Sequence, residues 1–416
     1  MSAHSSSQGT PRALIVGAGI AGLAAATSLH RAGWEAVIIE RAAGRRRGGY
    51  FVALTGAGRY AAERLGSLDL MPDRASQTRN AFDIDREGNF SPSISLADQV
   101  GAPRMMLRGD IENALFERLP SEVEIRFSSQ PTEIVDHGSH VEVTIVNAET
   151  GTSSTERFDL LIGADGLRST VRRMAFGPDE DFLAPLGYVI AATVLDGGLR
   201  GISPQDGVSL VESGRGAFAF GLEDGRQTLF LNYRPDDMKA EFSRSAIESL
   251  RAAFGPEPAG EVLGDMLDQF ENSDEFLFDS ASQVKMPQWV KGRVIVLGDS
   301  AWCPTLYAGL GASSALAGAD LLGKMLELHP EDLAEALADW ERTMRPHVDK
   351  FQECCFILRP FFIVNTPEEL RQRQEAVAKL SDAKLREEFY ATEEQKKYAE
   401  WKNVDVVPIV SEMLSV

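Results

Sequence analysis

Six residues near the N-terminus, Gly17-Ala18-Gly19-Ile20-Ala21-Gly22, have types and spacing that could do chemistry. They read G-x-G-x-x-G, and each position has its own physical task. Gly17 makes a tight turn, Gly19 leaves the backbone bare where a pyrophosphate approaches, and Gly22 lets a helix pack closely on a strand. Ile20 and Ala21 stand at the helix start, where free N–H groups attract negative charge. Further on, Glu40 is placed to accept from a ribose 2′-hydroxyl and to repel a 2′-phosphate, and Arg41 follows it. The implied chemistry is the binding of a dinucleotide with an unphosphorylated adenosine ribose, FAD or NAD.

The elements that must position these residues can be read around them. ALIVG at 13–17 is an apolar run of the kind buried in a parallel sheet, 20–32 has helical composition ending at Gly33, and AVIIE at 36–40 is a second buried strand. Together they make one βαβ unit. Helical spacing recurs at 57–70 and 110–119, and strand patterns at 123–127, 141–146 and 158–162, with turn-formers such as Asp136-His137-Gly138 between them. Residues 183–285 change character to a mostly antiparallel layer with one helical segment near 244–254. The buried-strand pattern returns at 294–297 and runs through a Gly-rich loop into a helix ending near Met325. Thr366-Pro367-Glu368-Glu369 is a capped helix start that opens charged helical segments to about Asn403. These segments are expected to pack across the outside.

Composition narrows the function. The 416 residues suggest two to three domains. With 42 basic against 62 acidic side chains the net charge is −20, so nucleic acid and anionic lipid are poor partners. Cys303, Cys354 and Cys355 cannot form a disulfide framework, which points to a reducing compartment, the cytoplasm by default. No apolar run is long enough for a membrane helix, and the first residues lack a signal-peptide segment. The histidines are scattered, His137 and His140 flank a turn facing solvent, and no metal site is expected.

Two further stretches follow the glycine fingerprint in order: FDLLIGADGLRSTVR at 158–172, and the strand 294–297 with Gly298-Asp299-Ser300-Ala301. The three motifs together resemble those of FAD-dependent aromatic hydroxylases, the class A flavoprotein monooxygenases, over about residues 12–350, and the tetracycline-hydroxylase-like branch among them. The resemblance implies that Asp299 holds the ribityl chain of FAD. It places Arg108 and Arg47 against the flavin, although Arg108 also reads as a surface ion pair and Arg47 as part of a solvated basic turn. It links Asp165 and Arg168 to FAD and NAD(P)H handling, with helix capping as the other reading of Asp165. The loop from Pro304 through Gly309 and Gly311 to Ala312 resembles the segment that aims backbone amides at the flavin pyrimidine edge. There the chain departs from the family: Leu310 stands in the place of a glutamine. Phe218 and Phe220 share one strand face and Phe230 and Asn232 another; they are either core or, as the resemblance implies, the roof of a substrate cavity that includes Pro304.

The implied fold class is α/β. A doubly wound, Rossmann-like FAD-binding domain (12–180 and 286–350) carries an inserted, mostly antiparallel sheet for the substrate (181–285 with parts of 75–105). A disordered arm (1–11) precedes it and a C-terminal helical region (351–416) follows. The implied activity is hydroxylation of an aromatic or polyketide-like small molecule with NAD(P)H and O2 through a C4a-hydroperoxyflavin. The cofactor carries the redox step, so no catalytic side chain is singled out. Two alternatives remain on the same fold: a non-redox cyclase using FAD as scaffold, motivated by Leu310 and the apolar CCFILRPFFIV segment, and a flavin-binding interaction protein using its acidic helical tail.

Overall fold

The computed structural model describes residues 9–45, 49–76, 78, 80–95, 98, 103–273 and 275–407. Arg47 and most of the expected N-terminal arm lie outside the described residues. The βαβ unit forms as read: Arg12–Val16, Ile20–Arg31 and Glu35–Ile39. Its strands sit inside a six-stranded sheet, flanked by Leu160–Gly163, then Val294–Val296 and Val290–Lys291 on one side and Glu124–Arg126 on the other. Every pairing is parallel except the outer pair Val290–Lys291 with Val294–Val296. Parallel strands are covered on both faces, which is why their sequences run apolar without alternation. Leu14, Val37, Leu161 and Ile295 share one core, and Val141, Val143 and Ile145 of an antiparallel three-stranded meander join it.

The second layer is a seven-stranded sheet in the order Leu277–Val284, Leu183–Leu195, Gln227–Tyr233, Arg215–Gly221, Gly207–Glu212, Ala81–Ile84, Phe90–Pro92. One of its faces, with Leu229, Leu231 and Tyr233, packs on helices through a separate apolar core. The opposite face, with Phe218 and Phe230, belongs to the main core and looks toward the dinucleotide fingerprint. Two helices cover the outer face where the sequence suggests one. Gly260–Glu271 follows Ala246–Phe254, and its Leu263, Met266, Leu267 and Phe270 show helical period behind a stretch of Gly and Pro that hides it. The expected helix at 57–70 is split into Gly56–Arg64 and a short 3₁₀ turn, Leu68–Leu70.

The C-terminal region does not simply wrap the outside. A helix of 30 residues, Leu333–Phe362, carries Trp340, Met344, Phe351 and Cys355 into the core. Beyond it the chain reaches the sheet: Val364 bridges Ser213, and the buried Arg373 guanidinium donates to Asp83 at 2.7 and 3.1 Å. The helices Pro367–Ser381, Ala383–Tyr390 and Glu393–Lys402 then close over that sheet; Thr366 caps the first, accepting from the Glu369 N–H. A solvent-facing amphipathic pattern and a cavity-facing one are alike in sequence, and only tertiary packing separates them.

Candidate active site

Three adjoining cavities run from the glycine fingerprint to the C-terminal helices. The first, about 310 Å³, is lined by Gly17, Gly19, Glu40, Arg41, Arg108 and Asp165 among others. Gly17 has φ +110°, and a Cβ there would lie 2.4 Å from the Ala164 carbonyl oxygen; one on Gly22 would lie 1.9 Å from the Gly17 oxygen. Neither position admits a side chain. No side chain caps the helix Ile20–Arg31 and no acid sits in its first turn, so its leading N–H groups are left for an anion. The Glu40 carboxylate accepts from the N–H groups of Ala18 (2.9 Å) and Ala42 (2.8 Å). That fixes the carboxylate beside the fingerprint, and a carboxylate so held keeps lone pairs for sugar hydroxyls.

Asp165 is occupied as a cap. Its carboxylate accepts from the N–H of Thr170 at 2.6 Å and of Val171 at 3.2 Å, from the Ser169 hydroxyl at 2.5 Å and from that of Ser300 at 3.2 Å. It lines the cavity through the loop it rigidifies. Arg168 forms a two-pronged pair with Asp279 at 2.7 and 2.6 Å, tying this loop to the sheet of the second layer.

The second cavity, about 410 Å³, shares Gly19, Arg108, Ala164 and Gly166 with the first. Ile20, Ala21, Asp299, Pro304, Gly309, Gly311 and Ala312 line it, as do Phe220 and Phe230. Asp299 opens onto this cavity although it lies deep inside the molecule. Burial pushes its carboxyl pKa above the usual range, the Arg108 guanidinium pulls it back, and a hydrogen bond with Cys303 pulls the same way. Arg108 joins both earlier readings, since it pairs with Glu112 at 2.7 Å while lining both cavities. Two neighbours missed in the sequence are Tyr50, whose phenol burial pushes up to about 12, and Tyr307, whose ring meets Phe230, Tyr188 and Phe362. Cys303, expected to be a packed side chain, is both packed and on the wall, with its thiol driven up first by burial and then by Asp299. Thr305 sits at φ +75°, a strained conformation for a β-branched residue, and its hydroxyl donates to the Cys355 sulfur at 3.2 Å. The helix Gly311–Leu328 points its N-terminus at this cavity, with Gly311, Ala312 and Ala315 on the wall.

Three expectations change here. Leu310 is fully buried in the core and does not line the cavity, so the departure from glutamine is not a departure at the cavity wall. Phe218, Phe220, Phe230 and Asn232 all share one sheet face, because Phe218 pairs with Phe230 and Gly216 with Asn232. Asn232 is buried and lines none of the three cavities, and its side-chain amide has no hydrogen-bond partner among the described residues, while Phe218 lines the third cavity.

That third cavity, about 550 Å³, lies between the seven-stranded sheet and the C-terminal helices and shares Phe51, Met105, Phe220, Leu358, Phe362 and Lys402 with the second. Apart from these cavities, His137 and His140 stack at 4.7 Å on a hairpin tip, both near the Glu142 carboxylate.

A turn that excludes side chains, uncapped N–H groups at the helix start and a carboxylate at each end of a long polar path fit a flavin dinucleotide. Residues 11–177 match the model of the FAD binding domain family. An uncharacterized protein of Mycobacterium tuberculosis is 30% identical over 357 residues, 82% of this chain and 91% of its own. A flavin-dependent monooxygenase from an unknown prokaryotic organism is 27% identical over 379 residues, 87% of this chain and 92% of its own. This chain belongs to the FAD-dependent monooxygenases. The solved tetracycline destructase Tet(51) superposes with a TM-score of 0.73 at 26% identity, covering 90% of this chain and 98% of that one. The monooxygenase takes FAD as its cofactor, and among the described residues no helix is long and apolar enough to cross a membrane.

Proposed function

We propose that this monooxygenase inserts one oxygen atom into a fused-ring aromatic or polyketide-like molecule held in the third cavity, with the ring to be oxidised reaching into the second. The observation that carries the reading is the continuity of the two cavities across Phe51, Phe220, Leu358 and Phe362. A one-ring phenol leaves most of a 550 Å³ apolar chamber unfilled, and affinity in such a pocket follows buried apolar surface. The neighbour named a tetracycline destructase supports the same substrate class, since tetracyclines are fused-ring polyketides.

Bound FAD would supply reduction by NAD(P)H and activation of O2. The fingerprint amides and Glu40 would hold the nucleotide end, and Asp299 with Arg108 would hold the polyol between the ends. The N-terminus of Gly311–Leu328 offers partial positive charge where a reduced ring becomes anionic. Phe220, Phe230 and Phe362 stack the substrate and exclude water, which protects the activated oxygen from unproductive collapse. The scaffold-only alternative loses one of its two motives, because Leu310 faces the core; the apolar segment stays, with Leu358 and Phe362 on the cavity wall.

The test is NAD(P)H-driven oxygen uptake by the holoenzyme with one-ring phenols, naphthols, anthracenones and tetracycline under labelled O2. Fused-ring compounds should stimulate uptake and gain one labelled oxygen. Equal stimulation by one-ring phenols would defeat the size argument. An isomeric product formed without O2 would defeat the oxygen-insertion reading.

A further inference from the structure

Lys402 ends the helix Glu393–Lys402 and is 4% exposed. It lines the second and third cavities where they join. Its ammonium lies 5.3 Å from the centre of the Tyr398 ring, and among the described residues no carboxylate comes within ion-pair distance of it. A cation–π contact returns only part of the cost of withdrawing an ammonium from water. Burial accordingly drives the Lys402 pKa down, with the Cys354 thiol acting weakly the other way.

The other charges around the chamber are committed or distant. Arg373 is spent on Asp83, Asp279 on Arg168, and Asp299 faces Arg108 at the far end of the second cavity. Glu394 is exposed at the rim, and so is Lys379, which has no ion pair among the described residues either. In a chain of net charge −20 an uncommitted buried cation is not a by-product of a basic surface. It is placed where an anion would arrive.

We propose that Lys402 reads the charge of the substrate: at the junction of the two cavities its ammonium receives an oxyanion, carboxylate or phenolate, carried by the aromatic molecule, and so selects which edge of the ring system enters the second cavity. This rests on the fused-ring reading above and adds an acidic group to it. Lys402 is thus a specificity residue that touches substrate.

The experiment is calorimetric titration of the FAD holoenzyme with matched pairs: naphthoate against naphthamide, and an ionised nitronaphthol against its methyl ether. In the wild type at least one anion should bind about tenfold more tightly than its neutral partner, the size of one charge-assisted hydrogen bond. The pair that shows the preference tells carboxylate from phenolate. Lys402→Met should abolish the preference, Lys402→Arg should retain part of it, and the Met variant without ligand should melt no lower than wild type, because removing an unpaired buried charge costs nothing. Equal binding within both pairs by the wild type, or a preference that survives Lys402→Met, would overturn the proposal. So would a Met variant that melts lower and loses the neutral ligands as well. Benzoate, run alongside, separates the two readings: benzoate binding as tightly as naphthoate removes the fused-ring argument while leaving the lysine intact.

Discussion

The nucleotide end and the substrate end of this monooxygenase are built by opposite means. At the nucleotide end, a cavity of about 310 Å³ is shaped by short loops whose glycines and backbone amides do the recognising. At the substrate end, a cavity of about 550 Å³ is walled by side chains from elements far apart in sequence, such as Phe82 and Arg373. A constant ligand can be read by backbone at fixed spacing, while a variable one needs side chains that can be exchanged singly. Substitutions should therefore divide into those that abolish the flavoprotein and those that leave it yellow but alter what it binds.

The largest effect is expected at Gly22→Val. The new side chain would begin 1.9 Å from the Gly17 oxygen, so helix and strand must separate, at a cost of about 4 kcal/mol or more. The protein should be recovered without flavin or not at all. A yellow Gly22→Val protein with unchanged melting temperature would break the nucleotide half of the comparison.

Next comes Arg373→Ala, which takes the cation from a half-buried Asp83 that keeps only the Ser93 and Ser209 hydroxyls among the described residues, and should cost about 2–3 kcal/mol. Here the flavin should stay, and the loss should appear as faster proteolysis or amide exchange in 367–402. Release of FAD by this variant would show the two ends to be mechanically coupled.

Asp299→Ala should weaken FAD retention by about tenfold to a hundredfold, as for a charge-assisted hydrogen bond, read by dialysis or flavin fluorescence. Asp299→Asn adds a pH test. A carboxyl whose pKa is raised in the fold favours its protonated form there, so its contribution to stability is full below the ordinary carboxylate pKa and is lost as pH rises toward the folded value. The flavin-free Asn variant should thus melt above wild type at neutral pH, with the gap closing as pH falls to about 4. A gap that widens on acidification would reverse the assignment.

The same contrast explains what the sequence discloses. Gly17, Gly19, Gly22 and Glu40 are legible because their roles are local: a turn, a close approach, a strand end. Asp299 is legible through the resemblance of its motif, and the structure adds its proximity to Arg108 and Cys303. The substrate side resists for the converse reason. Phe362 and Lys402 read as parts of an apolar run and a charged helix, and only the path of the chain through Val364 and Arg373 brings those helices over the sheet. Tyr50 sits in a loop and Tyr307 in a three-residue 3₁₀ turn, Leu306–Ala308, both too short for periodicity to say which way a ring will face.

The smallest effect expected is at Leu310→Gln, and it tests the comparison at its boundary. By motif alone this change restores a family residue and adds an amide beside the flavin, which should hold or raise the rate of reduction. The geometry says otherwise: Leu310 is fully buried, while its neighbours Gly309 and Gly311 form the wall. A glutamine placed there puts an amide among apolar side chains without a partner, at about 1–2 kcal/mol. The variant should keep its flavin and its reduction rate within about twofold, yet melt about 1–2 °C lower by calorimetry. Faster reduction with an undiminished melting temperature would mean that the side chain turns to the cavity instead, and that this loop recognises flavin by side chain as well as by backbone.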